Sequence, residues 1–297
     1  DGILDEGEEA FTLDGSTDIQ YGNIYGIYHG KGSSPISITI DGAELPAVYG
    51  AFESTVETPE NMTAVTISVK GDAAVESLYG LFRTYCTGGV LIDTEESVTI
   101  KSLYGLRSST MDGDITENIN YNCDGNTFVT LATDGYYTGK AYTINGDAVF
   151  NMNGAGISSV YIVQNGAVLS KTLTAKVTDS KVDNLCGVSQ SAKVDGDVSL
   201  TFDGISAAKD GSSASVYGAS SAAILGNLDL KLKSQSGSEM SVYGTNNTNI
   251  KGNVNVSVDG SGAKFNTIYG MYGGMLGGRA DIDIKNCAAG YTTCGMN

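Results

Sequence analysis

Seven tyrosines in this 297-residue chain sit in one short motif, [V/I/L]-Y-G, at Tyr25, Tyr49, Tyr79, Tyr104, Tyr217, Tyr243 and Tyr269. Degenerate copies place Tyr161, Cys186 and Cys294 in the same frame. Seventeen tyrosines and no tryptophan make tyrosine the main aromatic of the chain. Rings repeated at one structural position form a row. An outward row offers apolar rings and hydroxyls to a sugar chain or a protein partner. Tyr49, Tyr217, Tyr243 and Tyr269 are the leading ligand-binding candidates on this ground. The competing reading is that the rings only stack and stabilise the fold.

Other chemistry is sparsely represented. His29 is the single histidine. It has no GxSxG or similar nucleophile context, so it reads as a surface loop residue. The only arginines are Arg83, Arg107 and Arg279, which fall in different repeat units. Carboxylates at Asp195, Asp197, Asp203, Asp229, Asp281 and Asp283 lie on or beside alternating segments. Stacked pairs could approach the separations glycosidases use. Such pairs also arise whenever the outward positions of a strand are polar, so no catalytic residue is assigned. Asp41, Asp203 and Asp259 precede glycine or close a strand and read as turns. Surface calcium stays open, but no metal site is assigned, because the GGxGxDxUx nonapeptide is absent. Neither MYGGMLGGRA nor YGNIYGIYHGKG matches a phosphate loop. The five cysteines form no C-x-x-C pair, which argues against zinc. Cys123 reads as a core thiol. A Cys287–Cys294 disulfide and free thiols are both compatible with the sequence.

These residues are carried by a second motif, a strand reading G-x-φ-x-φ-x-φ followed by Asp, Asn or Lys and then Gly or Ser. KGNVNVSVDG, DGDVSLTFDG and LGNLDLKLKS are clear copies. Its third apolar position falls at Leu13, Ile40, Val69, Ile100, Cys123, Met152, Val177, Phe202, Leu232, Val258 and Ile284, at nearly regular intervals. Tyr25, Tyr217, Tyr243 and Tyr269 each precede such a position (Ile40, Leu232, Val258 and Ile284) by the same distance. That ruler picks Tyr137 as the missing tyrosine before Met152. The period-2 alternation marks strands with one buried face. It places Val254, Val256 and Val258 inside, with Asn253, Asn255 and Ser257 outside.

A period of about 26 residues fits one coil of a stacked repeat. The fold class expected is all-β: a single-stranded parallel β-helix (β-solenoid) of ten to eleven coils with three short strands per coil. The strands are the Tyr-Gly segment, a short apolar piece such as that around Ile224 or Ile250, and the long alternating segment. Asp-Gly, Asn-Gly and Lys-Gly ends are corners where one residue turns left-handed. Forty glycines against three prolines suit such corners and an uninterrupted ladder. Residues 1–297 read as one domain, with longer loops within 50–123. Ten coils at ~4.8 Å give a rod of roughly 50 Å.

The formal net charge is −17, with only 17 basic residues and those dispersed. This argues against nucleic acid, whose phosphates need clustered Lys and Arg, and against an anionic membrane surface. No apolar run approaches the ~20 residues of a membrane span. The opening DGILDEGEEA is acidic and reads as a processed or trimmed start. The C-terminus carries no strong cap, so end-to-end self-association is one expectation. The repeated SVYG…GNVNVSVDG coils resemble the Gly-, Ser- and Thr-rich β-solenoids of bacterial surface proteins, including adhesins and autotransporter passengers. That resemblance covers nearly the whole chain and implies a secreted or cell-surface protein. It is specific for architecture rather than function, since no family catalytic motif matches here, and no cofactor is expected. The leading function is a non-enzymatic adhesin or scaffold that binds glycan or protein through the tyrosine row. The alternatives are a polysaccharide-active β-helix lyase or hydrolase and a module that stacks into fibres.

Overall fold

A computed structural model describes residues 10–15, 22–59, 61–121, 127–134, 142–208, 211–234, 239–260, 263–287 and 292–296. Every regular element among them is a β-strand, and every strand pairs in parallel with the equivalent strand one coil away. The chain winds through about ten turns of some 26 residues as a parallel β-solenoid. Each coil begins here with its long strand, from Ala10–Asp14 in coil 1 to Ala280–Lys285 in coil 11. The Tyr-Gly strand follows, then a short strand such as Ala223–Ile224. In coils 9 and 10 the last two run together, as Glu239–Ile250 and Lys264–Leu276.

The long strands form one sheet, in register apart from irregularities at Gly89/Val90 and at Asp203/Ile205. Phe202 pairs with Leu232, Leu232 with Val258, and Val258 with Ile284. Val254, Val256 and Val258 are buried, while Asn253 and Asn255 are exposed. Residues Ala280, Ile282 and Ile284 repeat that inward set in the last long strand, where they are half-buried.

Two expected register positions are corrected. Val69 pairs with Thr94 in coil 4, and Ile100 instead pairs with Val75 inside the Tyr-Gly strand. In coil 5 the long strand is Ile115–Ile119, whose Ile119 pairs with Met152; Cys123 lies outside the described residues. Both true strands break the apolar rule. Thr94 ends one, and Glu117 occupies the middle inward place of the other, opposite Ile92 and Phe150. Neighbouring segments with cleaner alternation drew the pattern away from them.

The glycine of the Tyr-Gly motif faces inward, close against the long strand and the next coil. A Cβ on Gly50 would lie 2.4 Å from Val65 Cγ1 and 2.5 Å from the Gly80 carbonyl oxygen. Glycine there lets the long strand's side chain fill the space. It also bends the strand, so that Val48, Gly50 and Ala51 are all buried while Tyr49 and Phe52 face out.

Three corners close each coil. At the first, after the long strand, Gly42, Gly71, Gly154 and Gly204 take positive φ of 63 to 72°. The second follows the Tyr-Gly strand and carries a column of left-handed residues that have side chains: His29, Glu53, Arg83, Ser108, Asn165, Gln190, Ser221 and Asn247. A buried hydroxyl locks several of these turns. Ser54, Thr84, Ser109 and Thr248 each donate to the carbonyl two residues back, at 2.7 to 3.0 Å. At the third corner, Asp or Asn side chains accept the backbone N–H one coil on. Asp197 Oδ1 takes the Asn227 N–H at 2.7 Å, Asn227 Oδ1 that of Asn253, and Asn253 Oδ1 that of Arg279.

Candidate binding face

The Tyr-Gly strands bring the motif tyrosines into one column. Tyr25 pairs with Tyr49, Tyr49 with Tyr79 and Tyr79 with Tyr104. Tyr104 then meets Thr130, which takes the ladder place in coil 5; Tyr137 lies outside the described residues. Tyr161 and Cys186 follow, and Tyr217, Tyr243 and Tyr269 complete the row before Cys294. Of the four leading candidates, Tyr217, Tyr243 and Tyr269 are therefore contiguous. Tyr49 belongs to a separate run of four.

Within each run the rings stack. Centroids are 4.7 to 5.0 Å apart and nearly parallel from Tyr25 to Tyr104. Tyr217 and Tyr243 lie 4.9 Å apart, and Tyr243 and Tyr269 5.5 Å. Stacked rings cover one another's faces, so the row presents edges and hydroxyls outward. Desolvation raises the Tyr49, Tyr104 and Tyr217 phenols above their usual range, and a neighbouring tyrosine adds to the rise in each. The ladder is thus a line of hydroxyls and ring edges rather than a flat stacking platform.

A second aromatic column lies beside the first in coils 1 to 4. Tyr28 pairs with Phe52, Phe52 with Phe82, and Phe82 with Arg107. Tyr28 and Phe52 stack at 5.4 Å, Phe52 and Phe82 at 5.0 Å. Edge-to-face contacts join the columns, such as Tyr49 to Phe52 at 5.1 Å. Arg107 caps the array. Its Cζ lies 5.1 Å from the Tyr104 centroid and 5.6 Å from that of Phe82, and its Nη1 donates to the Tyr79 hydroxyl at 3.3 Å. Arg83 stands over Phe82 at 5.1 Å and pairs with Glu53 at 2.8 Å, while His29 approaches the other Glu53 oxygen at 3.4 Å.

Arg83 and Arg107, which fall in different coils along the sequence, are therefore neighbours across the Phe82 ring in space. The sequence motifs above do not include the second column. Its signal is the third residue after each motif tyrosine, aromatic or Arg in four successive coils (Tyr28, Phe52, Phe82, Arg107).

The outward carboxylates are engaged singly. Lys231 lies 3.5 Å from Asp229, Lys233 3.8 Å from Asp203, and Lys285 2.7 Å from Asp283. Arg279 holds Asp281, Lys193 lies 2.6 Å from Asp195, and Asp197 caps the Asn227 backbone. One carboxylate that the pattern missed is fully buried. Glu117 is 0 % exposed, and burial pushes its carboxyl well above the usual range. Cys86 and Cys186 are buried thiols raised to about 11 and about 12 by desolvation. Cys287 is a free thiol whose Sγ donates to the Lys285 carbonyl at 3.1 Å. Among the described residues, no helix is long and apolar enough to cross a membrane.

Compared with protein-family models, curated proteins and solved structures, the chain matches none.

Proposed function

We propose that the chain is a non-enzymatic adhesin or scaffold, secreted or displayed at a cell surface, that engages a glycan or protein partner along its tyrosine ladder. The observation that carries this reading is the stacked row on one outward face. It offers a hydroxyl at each tyrosine rung, at the coil spacing of ~4.8 Å. Rigidly stacked rings lose little conformational freedom on binding, which favours association. The acidic surface keeps such a rod soluble at high density.

The test is a glycan and cell-surface binding screen on the native chain and on Tyr217/Tyr243/Tyr269→Ser, with circular dichroism confirming that both are folded. Binding that falls at least tenfold in the triple variant supports the ladder. Unchanged binding in a folded variant reduces it to structural stacking. The same preparation, incubated with neutral and acidic polysaccharides, should release no reducing ends and no unsaturated products. Release that a single Asp→Asn change abolishes would establish the enzyme reading instead.

A further inference from the structure

Acidic residues outnumber basic ones 34 to 17 in this chain, yet two of its three arginines and its only histidine meet at one corner of coils 1 to 4. Arg83 is held by Glu53. Arg107 is different: among the described residues it makes no ion pair, although its guanidinium is fixed by three rings, those of Tyr79, Phe82 and Tyr104, and donates to the hydroxyl of the first. A guanidinium fork fixed in place without a carboxylate is a receptor for one. We propose that this corner binds an anionic polysaccharide, with Arg107 taking a carboxylate or sulfate and the adjacent phenols taking sugar hydroxyls. The proposal rests on the ladder reading and adds the ligand's charge and the residue that selects it.

The geometry favours a sugar chain over an acidic peptide. Coils 1 to 3 repeat the same pair of rings at the same offset: Tyr25 with Tyr28, Tyr49 with Phe52, Tyr79 with Phe82. A receptor that repeats along one axis is complementary to a ligand that repeats along one axis. A polysaccharide has that property, whereas a polypeptide of varied side chains does not. The rungs also mix apolar ring edges with hydroxyls, which suits the amphipathic surface of a sugar. Tyr28 is 53 % exposed and extends the apolar strip to the solvent.

Binding of polygalacturonate, its fully methyl-esterified neutral form, dextran sulfate and poly-L-glutamate would test this. The chains compared are native, Arg107→Gln, Arg107→Lys and Glu53→Gln, each checked by thermal melting. Native protein should bind polygalacturonate or dextran sulfate at least tenfold more tightly than the ester, and the preferred polyanion identifies the acidic group. Arg107→Gln should weaken that binding about ten- to a hundredfold, the range of a charge-assisted contact, and weaken binding to the ester far less. Arg107→Lys should fall between, because it keeps the charge and loses the fork. Glu53→Gln should tighten binding severalfold by removing the carboxylate held against Arg83. Three results would overturn the proposal: equal polyanion affinity for native and a folded Arg107→Gln chain, preference for the ester, or no polyanion binding. Loss of binding in the Tyr217/Tyr243/Tyr269 variant would still support the broader ladder reading in each of these. Poly-L-glutamate binding as tight as the sugar polymers, with the same Arg107 dependence, would overturn the glycan assignment in favour of an acidic protein.

Discussion

Replacing Glu117 with methionine should stabilise the rod at neutral pH. Glu117 lies between Ile92 and Phe150 in the stacked core, and neither carboxyl oxygen has a hydrogen-bond partner of normal geometry. The backbone at Gly105 only partly offsets the burial. A buried polar group left unsatisfied destabilises by about 1–3 kcal/mol. Ionisation adds to this. The folded-state value is raised, so between the ordinary carboxyl value and the raised one the folded chain holds a proton that the unfolded chain releases. Stability is therefore fully present below the ordinary value and falls as pH rises through that window, by at most ~1.4 kcal/mol per pH unit. Methionine keeps a straight, adaptable side chain and removes both effects. A gain of about 2 kcal/mol corresponds to a rise of roughly 3 °C in the melting midpoint of a chain this long. Glu117→Gln should flatten the same part of the pH profile while keeping a buried polar group, and so gain less. Melting followed by circular dichroism from pH 4.5 to 8 separates the three chains. The surface charge changes alike in all of them, so only differences between profiles count. Parallel profiles, with the methionine variant melting at or below native at pH 7, would refute the placement of Glu117 in the core.

Val256→Asp places a charge between Leu230 and Ile282 in the core and should destabilise by several kcal/mol, whereas Asn255→Asp on the outer face should be nearly silent. Equal midpoints for the two would contradict the inward–outward assignment. Gly50→Ala should cost about 1–3 kcal/mol, because its Cβ meets Val65 and the Gly80 carbonyl; an unshifted midpoint would show that the coil is wider than described. Thiol alkylation of the folded chain at pH 8, read residue by residue by mass spectrometry, should modify Cys287 and spare Cys86 and Cys186, whose burial disfavours the thiolate. Comparable rates at Cys186 and Cys287 would count against the packed ladder position of Cys186.

The repeat was legible because a coil must place apolar side chains at alternate positions and return to the same azimuth each turn. Val254, Val256 and Val258 follow from that requirement alone. The fixed distance from a motif tyrosine to the third inward position also holds at Tyr79 and Tyr104, where it reaches Thr94 and Ile119. Those strands depart from the apolar pattern, because one ends in threonine and the other contains glutamate. The tyrosine column could be read from sequence, but the direction of its rings could not. That direction depends on the inward glycine, which bends the strand and sets Phe52 and Phe82 on the same side as Tyr49 and Tyr79. The meeting of Arg83 and Arg107 depends on coil stacking, which brings side chains a full coil apart in sequence together across one ring.

The corner after the Tyr-Gly strand gives the fold a substitution-tolerant edge. Glycine would relieve the left-handed backbone there, which costs on the order of 1 kcal/mol for a residue with a Cβ. Instead the column runs through His, Glu, Arg, Ser, Asn and Gln. Most of these side chains are solvent-exposed, while the hydroxyl that locks several of the turns is buried one residue later. The backbone is thus specified by the residue after the corner, and the corner residue itself is left to vary in charge and size. A rod built this way can change its surface one coil at a time without repacking its interior.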